Sequence, residues 1–186
     1  MESELALLVR AAAQGDEKAW EQLVERFTGL LWAVARAHRL PTSDAADVVQ
    51  ATWLRLLEHL DRIREPEHLG AWLATTARRE CLRVLRGRET PVATQEEVVA
   101  DDGADSPERT TLRHERDALV QRALTSVSPR CSQLLRVLMA SPPPSYAEVS
   151  AALAMPVGSI GPTRARCLDC LRKASLRLGV EDAAVA

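Results

Sequence analysis

The chain has 186 residues, 46% of them hydrophobic but only 3% aromatic, which suits one or two small domains built from helices packed with Leu, Val and Ala. No apolar run is long enough to span a bilayer and no charged-then-apolar leader opens the chain, so a cytoplasmic protein without membrane contact is expected. The net charge of −2 is unevenly placed: residues 1–88 balance, residues 89–116 carry −5, and residues 117–186 carry +3, so an acidic middle masks a basic C-terminal part.

In chain order, Leu5, Leu8, Val9 and Ala12 give the apolar stripe of a first helix. Gly15 interrupts it and Asp16 is placed to cap a second helix, whose stripe runs through Trp20, Leu23, Val24, Phe27 and Leu31. Pro41 ends that element, and Thr42 or Ser43 is expected to cap a third. There Val49, Trp53, Leu56, Leu57 and Leu60 face one way, and Asp47, Gln50, Leu54 and Glu58 the other. After a loop at Pro66, a fourth helix turns Leu69, Trp72, Leu73, Thr76, Ala77, Cys81 and Val84 inward. Its opposite face carries Arg79, Arg83 and Arg86, with Arg78 beside them.

Residues 89–111 lack apolar periodicity and are rich in acidic and small residues, the composition of a flexible linker. A helix is expected over about 112–127. Ser128-Pro129 starts another that buries Leu134, Leu135 and Leu138. The proline run 142–144 leads into Ser145–Lys173, which reads as a helix-turn-helix. Ser145 and Glu148 have capping-box spacing, and Ala154–Gly158 has the length of a tight turn. Ser159 is expected to cap the second helix, with Pro162 in its first turn. Ile160, Cys167, Leu168 and Leu171 then point inward, and Thr163, Arg164 and Arg166 outward. An arginine-bearing helix start of this kind enters a DNA major groove; the plainer reading is a helical hairpin with a solvated basic face.

No catalytic set emerges. The histidines His38, His59, His68 and His114 are scattered, and there is no glycine-rich phosphate loop, metal motif or nucleophilic triad, so neither enzyme activity, metal nor cofactor is expected. The four cysteines (Cys81, Cys131, Cys167, Cys170) lack the pattern of a secreted disulfide framework. Cys167 and Cys170 supply only half of a four-ligand site and read as small apolar filler. The arginines at 78, 79, 83 and 86 form a phosphate-binding surface or a solvated face.

Two segments together resemble the bacterial extracytoplasmic-function (ECF, group 4) sigma factors of the sigma-70 family. Asp44-Ala-Ala-Asp-Val-Val-Gln50-Ala-Thr-Trp-Leu-Arg-Leu resembles the region that docks on the clamp helices of RNA polymerase. Pro66–Leu82 follows at the family's distance and resembles the part that captures and melts the promoter −10 element. The helix-turn-helix is similar to the region that reads the −35 element. The resemblance implies an all-α chain of two small helical domains: residues 1–88 for polymerase and the −10 element, an acidic flexible linker over 89–116, residues 117–178 for the −35 element, and a tail over 179–186.

The resemblance further implies polymerase contacts at Asp44, Asp47, Val48, Gln50 and Leu54. It implies −10 and strand-phosphate contacts at Arg62, Arg64, His68, Arg78, Arg79 and Arg83, with the loop near Arg62–Leu69 holding a flipped base. It implies −35 contacts at Ser159, Pro162, Thr163, Arg164 and Arg166. The implied partners are core RNA polymerase through its clamp and flap regions, promoter DNA, and, as a further regulator, an anti-sigma factor. The chain departs from the family at Arg79, where Asn is frequent, and at Gly161-Pro162-Thr163, where a Lys-Ser-Arg-like triplet is common. The rival reading is a stand-alone helix-turn-helix regulator with a helical sensing or dimerisation domain. A second rival is a helical adaptor without a DNA role.

Overall fold

The computed structural model describes residues 3–87 and 120–177, and every regular element among them is helical. The first stretch holds α1 (Glu4–Ala13), α2 (Glu17–Ala37), α3 (Thr42–Leu57) and α4 (Leu69–Gly87), with single 3-10 turns at Leu60–Arg62 and Pro66–His68 between the last two. The second holds helical residues 120–126 (α5), then α6 (Pro129–Leu138), α7 (Tyr146–Leu153) and α8 (Val157–Arg177). The acidic linker and the C-terminal tail expected from the sequence lie outside the described residues, as does the start of the helix expected near 112.

Local chemistry sets most helix starts. Ser3 accepts from the Ala6 amide, and Asp16 accepts from the amides of Lys18 and Ala19 at 2.9 and 3.1 Å. Ser128 caps α6 with Pro129 next to it, and Ser145 with Glu148 closes a full capping box on α7. At α3 the expectation of a Thr42 or Ser43 cap is corrected. Pro41 occupies the cap position without a side-chain bond, and the helix already includes both residues. Ser150 donates to the Met155 carbonyl at 2.6 Å across the α7–α8 turn, where Ala154 adopts φ +51°.

The core of the first stretch is α2, surrounded by α1, α3 and α4. Leu23, Phe27, Leu31 and Val34 of α2 meet Val48 and Leu56 of α3 and Leu69, Leu73 and Ala77 of α4. Trp20 and Trp53 meet edge to face at 5.6 Å and close the α2–α3 seam. Burying each large side chain stabilises the fold by about 1.5–3 kcal/mol. Leu57, expected inward, is instead 53% exposed. Successive helix positions differ by 100°, and Leu56 already occupies the centre of the inner face.

The second stretch does not stand apart. α7 packs along α4 and α6 along α2, and the buried residues of both stretches form one contiguous cluster through Leu124, Leu134, Val149 and Ile160. Two glycines permit this approach. A Cβ at Gly29 of α2 would overlap the Ser141 carbonyl oxygen, and one at Gly70 of α4 would overlap the Glu148 carboxylate. Glycine inside a helix costs about 0.5–1 kcal/mol relative to alanine, so close approach gives its presence in α2 a physical reason.

Candidate polymerase and nucleic-acid interfaces

On α3, an exposed face is framed by buried Ala45, Val48, Val49, Thr52 and Leu56. Asp47 and Gln50 are exposed, Asp44 is half-buried, and Leu54 and Leu57 stand 53% exposed beside one another's turn. Val48 is corrected here: it is 1% exposed and packs in the core, so it supports this face from beneath and is not part of it. Two leucines raised among acidic and amide groups give the face an apolar centre with a polar rim, the composition of a protein-docking surface. Leu57 is not singled out by the sequence because its position continues the inner stripe of Val49, Trp53 and Leu56.

The α3–α4 seam is fixed by Glu80, whose side chain is only 6% exposed. Arg55 donates to one of its carboxylate oxygens at 2.8 Å and Arg83 to the other at 2.7 Å. Burial opposes ionisation of Glu80, but the Arg83 hydrogen bond and the charges of both arginines outweigh it and hold the carboxyl below its ordinary value. Arg83, expected to hold strand phosphate, is thus engaged with Glu80 in this arrangement.

Arg79 is exposed on the same helix, and Arg78 is half-buried with its Nε in contact with neither solvent nor a hydrogen-bond acceptor. Burial, with the nearby Arg78 charge, lowers the pKa of His38 against the opposing effect of its contact with the Val34 carbonyl. Cys81 is fully buried, and burial pushes its thiol up to about 12, so it offers no thiolate at neutral pH.

Arg62, Arg64 and His68 are exposed on the segment between α3 and α4. That segment and α1 enclose a cleft of about 620 Å³ lined by Ser3, Arg10, Asp61, Ile63, Arg64 and Glu67, among others. The contribution of α1 was not legible in the sequence, because nothing local links residues 3–10 to residues 60–67.

In the helix-turn-helix, Arg164 and Arg166 are exposed, Thr163 is half-buried, and Arg166 donates to Thr163 Oγ1 at 3.4 Å. Three expectations are corrected. α8 begins at Val157, so Ser159 lies inside it and donates to the Pro156 carbonyl at 2.7 Å. Pro162 consequently sits past the first turn, where its missing N–H removes a bond to the Gly158 carbonyl. Leu168 is 44% exposed. Cys167 does fill the interior, but it is joined to Cys131 at the start of α6 by a disulfide, while Cys170 is free and exposed. The pairing spans 36 positions and carried no signal in residue spacing. Among the described residues no group of three or more His, Cys, Asp or Glu could hold a metal ion, and no helix is long and apolar enough to cross a membrane.

Residues 23–90 match the Sigma-70 region 2 family. The ECF RNA polymerase sigma-E factor of Escherichia coli (strain K12) is 27% identical over 164 residues, which cover 83% of this chain and 85% of that protein. The RNA polymerase sigma factor NccH of Alcaligenes xylosoxydans xylosoxydans is 39% identical over 66 residues, 36% of each chain. Among solved structures, the sigma factor RpoE in complex with the anti-sigma factor NepR from Bartonella quintana has a TM-score of 0.60 at 21% identity, over 84% of this chain and 96% of that one. CnrH in complex with the cytosolic domain of CnrY has a TM-score of 0.56 at 24% identity, over 90% and 94%.

Matches that run through both helical stretches define a transcription protein and disfavour the stand-alone regulator. Residues 23–90 carry the match to Sigma-70 region 2, and the relatives along the rest of the chain support an extracytoplasmic-function RNA polymerase sigma factor with a role in transcription initiation.

Proposed function

We propose that the chain acts in the cytoplasm as the promoter-selecting subunit of RNA polymerase, without chemistry of its own; nucleotidyl transfer belongs to the core enzyme. Its two working parts are residues 1–88 and 117–178. The α3 face, with Asp44, Asp47, Gln50, Leu54 and the added Leu57, docks on the polymerase clamp, while α6–α8 engage the flap. The exposed leucine pair on α3 is the observation that carries this reading. A stable helix gains nothing from placing two leucines in water, and a partner that buries them does.

The −10 strand runs over Arg62, Arg64, His68, Arg78 and Arg79, with the cleft between α1 and the α3–α4 segment taking an unstacked base. Arg83 joins them by exchanging Glu80 for phosphate. Thr163, Arg164 and Arg166 read or clamp the −35 duplex, flanked by Ser159 and Pro162. An anti-sigma protein is the natural regulator, as CnrY and NepR are partners of the structural neighbours.

Copurification with core polymerase followed by run-off transcription from genomic fragments tests the proposal. Promoter-specific transcripts that require the added chain are expected. A chain that neither binds core polymerase nor directs a start site overturns it.

A further inference from the structure

We propose that Cys131, Cys167 and Cys170 form a thiol–disulfide exchange site, in which Cys170 opens the Cys131–Cys167 bond and so releases α8 from α6. The exchange stands on the cysteines alone; its consequence at the −35 element rests on the sigma-factor reading. Helix α8 has few anchors. Of its 21 residues only Ile160 and Cys167 are buried, and Arg164 and Arg166 lie between them. Ile160 holds the start of the helix by packing. Cys167 holds its middle through the covalent bond to Cys131, in the first turn of α6. The orientation of both arginines thus depends on a tie that a thiol can cut.

The third cysteine is placed to cut it. Cys170 follows Cys167 by three positions, so the two share a helix face with Cβ atoms about 5–6 Å apart. Cys170 is free and exposed, whereas Cys167 is 1% exposed and closed to a thiol from solution. The leaving group is favourable as well. Cys131 is the third residue of α6, its amide donates to the Ser128 hydroxyl at 3.3 Å, and no acidic residue stands in that first turn. A thiolate released there meets the positive end of the helix. Attack on Cys131 from solution would instead expel a thiolate at Cys167, in the interior, where charge is disfavoured. Cys81 is fully buried on α4 and takes no part.

The chemistry balances without a metal or cofactor. Cys170 loses its proton to solvent, and its thiolate bonds to Cys167 Sγ while the electron pair of the old bond leaves on Cys131 Sγ. A small thiolate then attacks Cys170 Sγ, forms a mixed disulfide with it and releases Cys167. A second small thiolate attacks the sulfur of the first, which yields the small disulfide and returns Cys170. Two small thiols are oxidised and one protein disulfide is reduced, and Cys131 and Cys167 take up the two protons that the small thiols lose. The small disulfide drives the reverse.

The test uses the oxidised full chain with glutathione as the small thiol. Opening of the Cys131–Cys167 bond is followed by rapid alkylation and peptide mass mapping, which should also trap a Cys167–Cys170 linkage in the wild type. Cys170→Ser keeps the bridge and should slow its opening about tenfold or more. Equal opening rates in the two chains overturn the exchange site. A second arm measures transcription by the reconstituted holoenzyme at a promoter that needs its −35 element. Opening the bond should lower wild-type activity about 5-fold, as α8 spends less time in its binding arrangement. Cys131→Ser should be equally low with and without glutathione, and Cys170→Ser should keep its oxidised activity over the same exposure. Wild-type transcription indifferent to the state of the bond overturns the control of α8. If no form directs transcription, the sigma-factor reading fails instead, and the alkylation rates still decide the exchange.

Discussion

The two halves solve the problem of a small core differently. The first wraps three helices around α2, includes all four tryptophans, and ties two surface arginines, Arg55 and Arg83, to a buried carboxylate. The second sets the short helices α6 and α7 beside the long α8, exposes Arg164 and Arg166, and carries a covalent bridge from Cys131 to Cys167. A unit this small gains proportionately little from burial and benefits most from a cross-link. The first half is thus held by its own packing and by the Glu80 clamp. The second spends its surface on arginines and is held in shape by other means.

Reducing the bridge should break that comparison most strongly. Cys131→Ser should cost the second half about 4 kcal/mol, the value for a loop spanning 36 positions. Trp20, Trp32, Trp53 and Trp72 all lie in the first half. A melt followed by helix dichroism should therefore shift under reductant much more than one followed by tryptophan fluorescence. Coincident, unshifted curves would show that the second half does not depend on the bridge.

Next in size is the α3 face. Leu54→Glu alters a side chain that is 53% exposed, so the thermal midpoint should stay within a degree or so while polymerase binding weakens by about 2 kcal/mol. Asp47→Lys should act in the same direction through charge. If binding is untouched by both, the docking face lies elsewhere.

The Glu80 clamp comes third. Glu80→Gln should destabilise the first half by about 1–2 kcal/mol, less than for a fully buried pair because Arg55 and Arg83 remain half exposed or more. Its folded pKa is lowered, so its contribution is complete above pH 4.5 and is lost as pH falls through the folded value. His38 is lowered as well, mainly by burial, and its contribution begins to fall below pH 6.5. Urea midpoints should decline in two acid steps, with His38→Gln removing the upper one. A midpoint flat from pH 7 to pH 5 in the wild type would remove His38 from this account.

The helices and their caps were legible in the sequence because they are local. Asp16, Ser128-Pro129 and Ser145 with Glu148 act within one turn of themselves. The proposed docking face was legible in outline, since Asp47, Gln50 and Leu54 lie opposite the apolar stripe. Two positions differ from expectation: Leu57, placed inward by periodicity, lies outward, and Val48, which the resemblance set on the exposed face, lies inward, each a single 100° step from the expected face. The α1 wall of the cleft, the Cys131–Cys167 bridge and the packing of α7 on α4 join residues distant in the chain, and no periodicity encodes them.

The smallest effect falls on the reading helix and decides what kind of contact it makes. Arg166 is exposed and held only by a 3.4 Å contact to Thr163, so it loses side-chain freedom when it binds DNA. Arg166→Ala should therefore cost about 1 kcal/mol, the low end for an arginine–base contact, and only at promoters that need their −35 element. If Arg166 instead holds a phosphate, the loss should be uniform across promoters and the salt dependence of binding should drop by about one unit. Pro162 and Gly161 flank this turn with little or no side-chain reach of their own, so in the proposed −35 contact the specificity would rest on Thr163, Arg164 and Arg166. A promoter panel transcribed at two salt concentrations separates the two modes, and equal activity of Arg166→Ala at every promoter and salt would remove the residue from the interface.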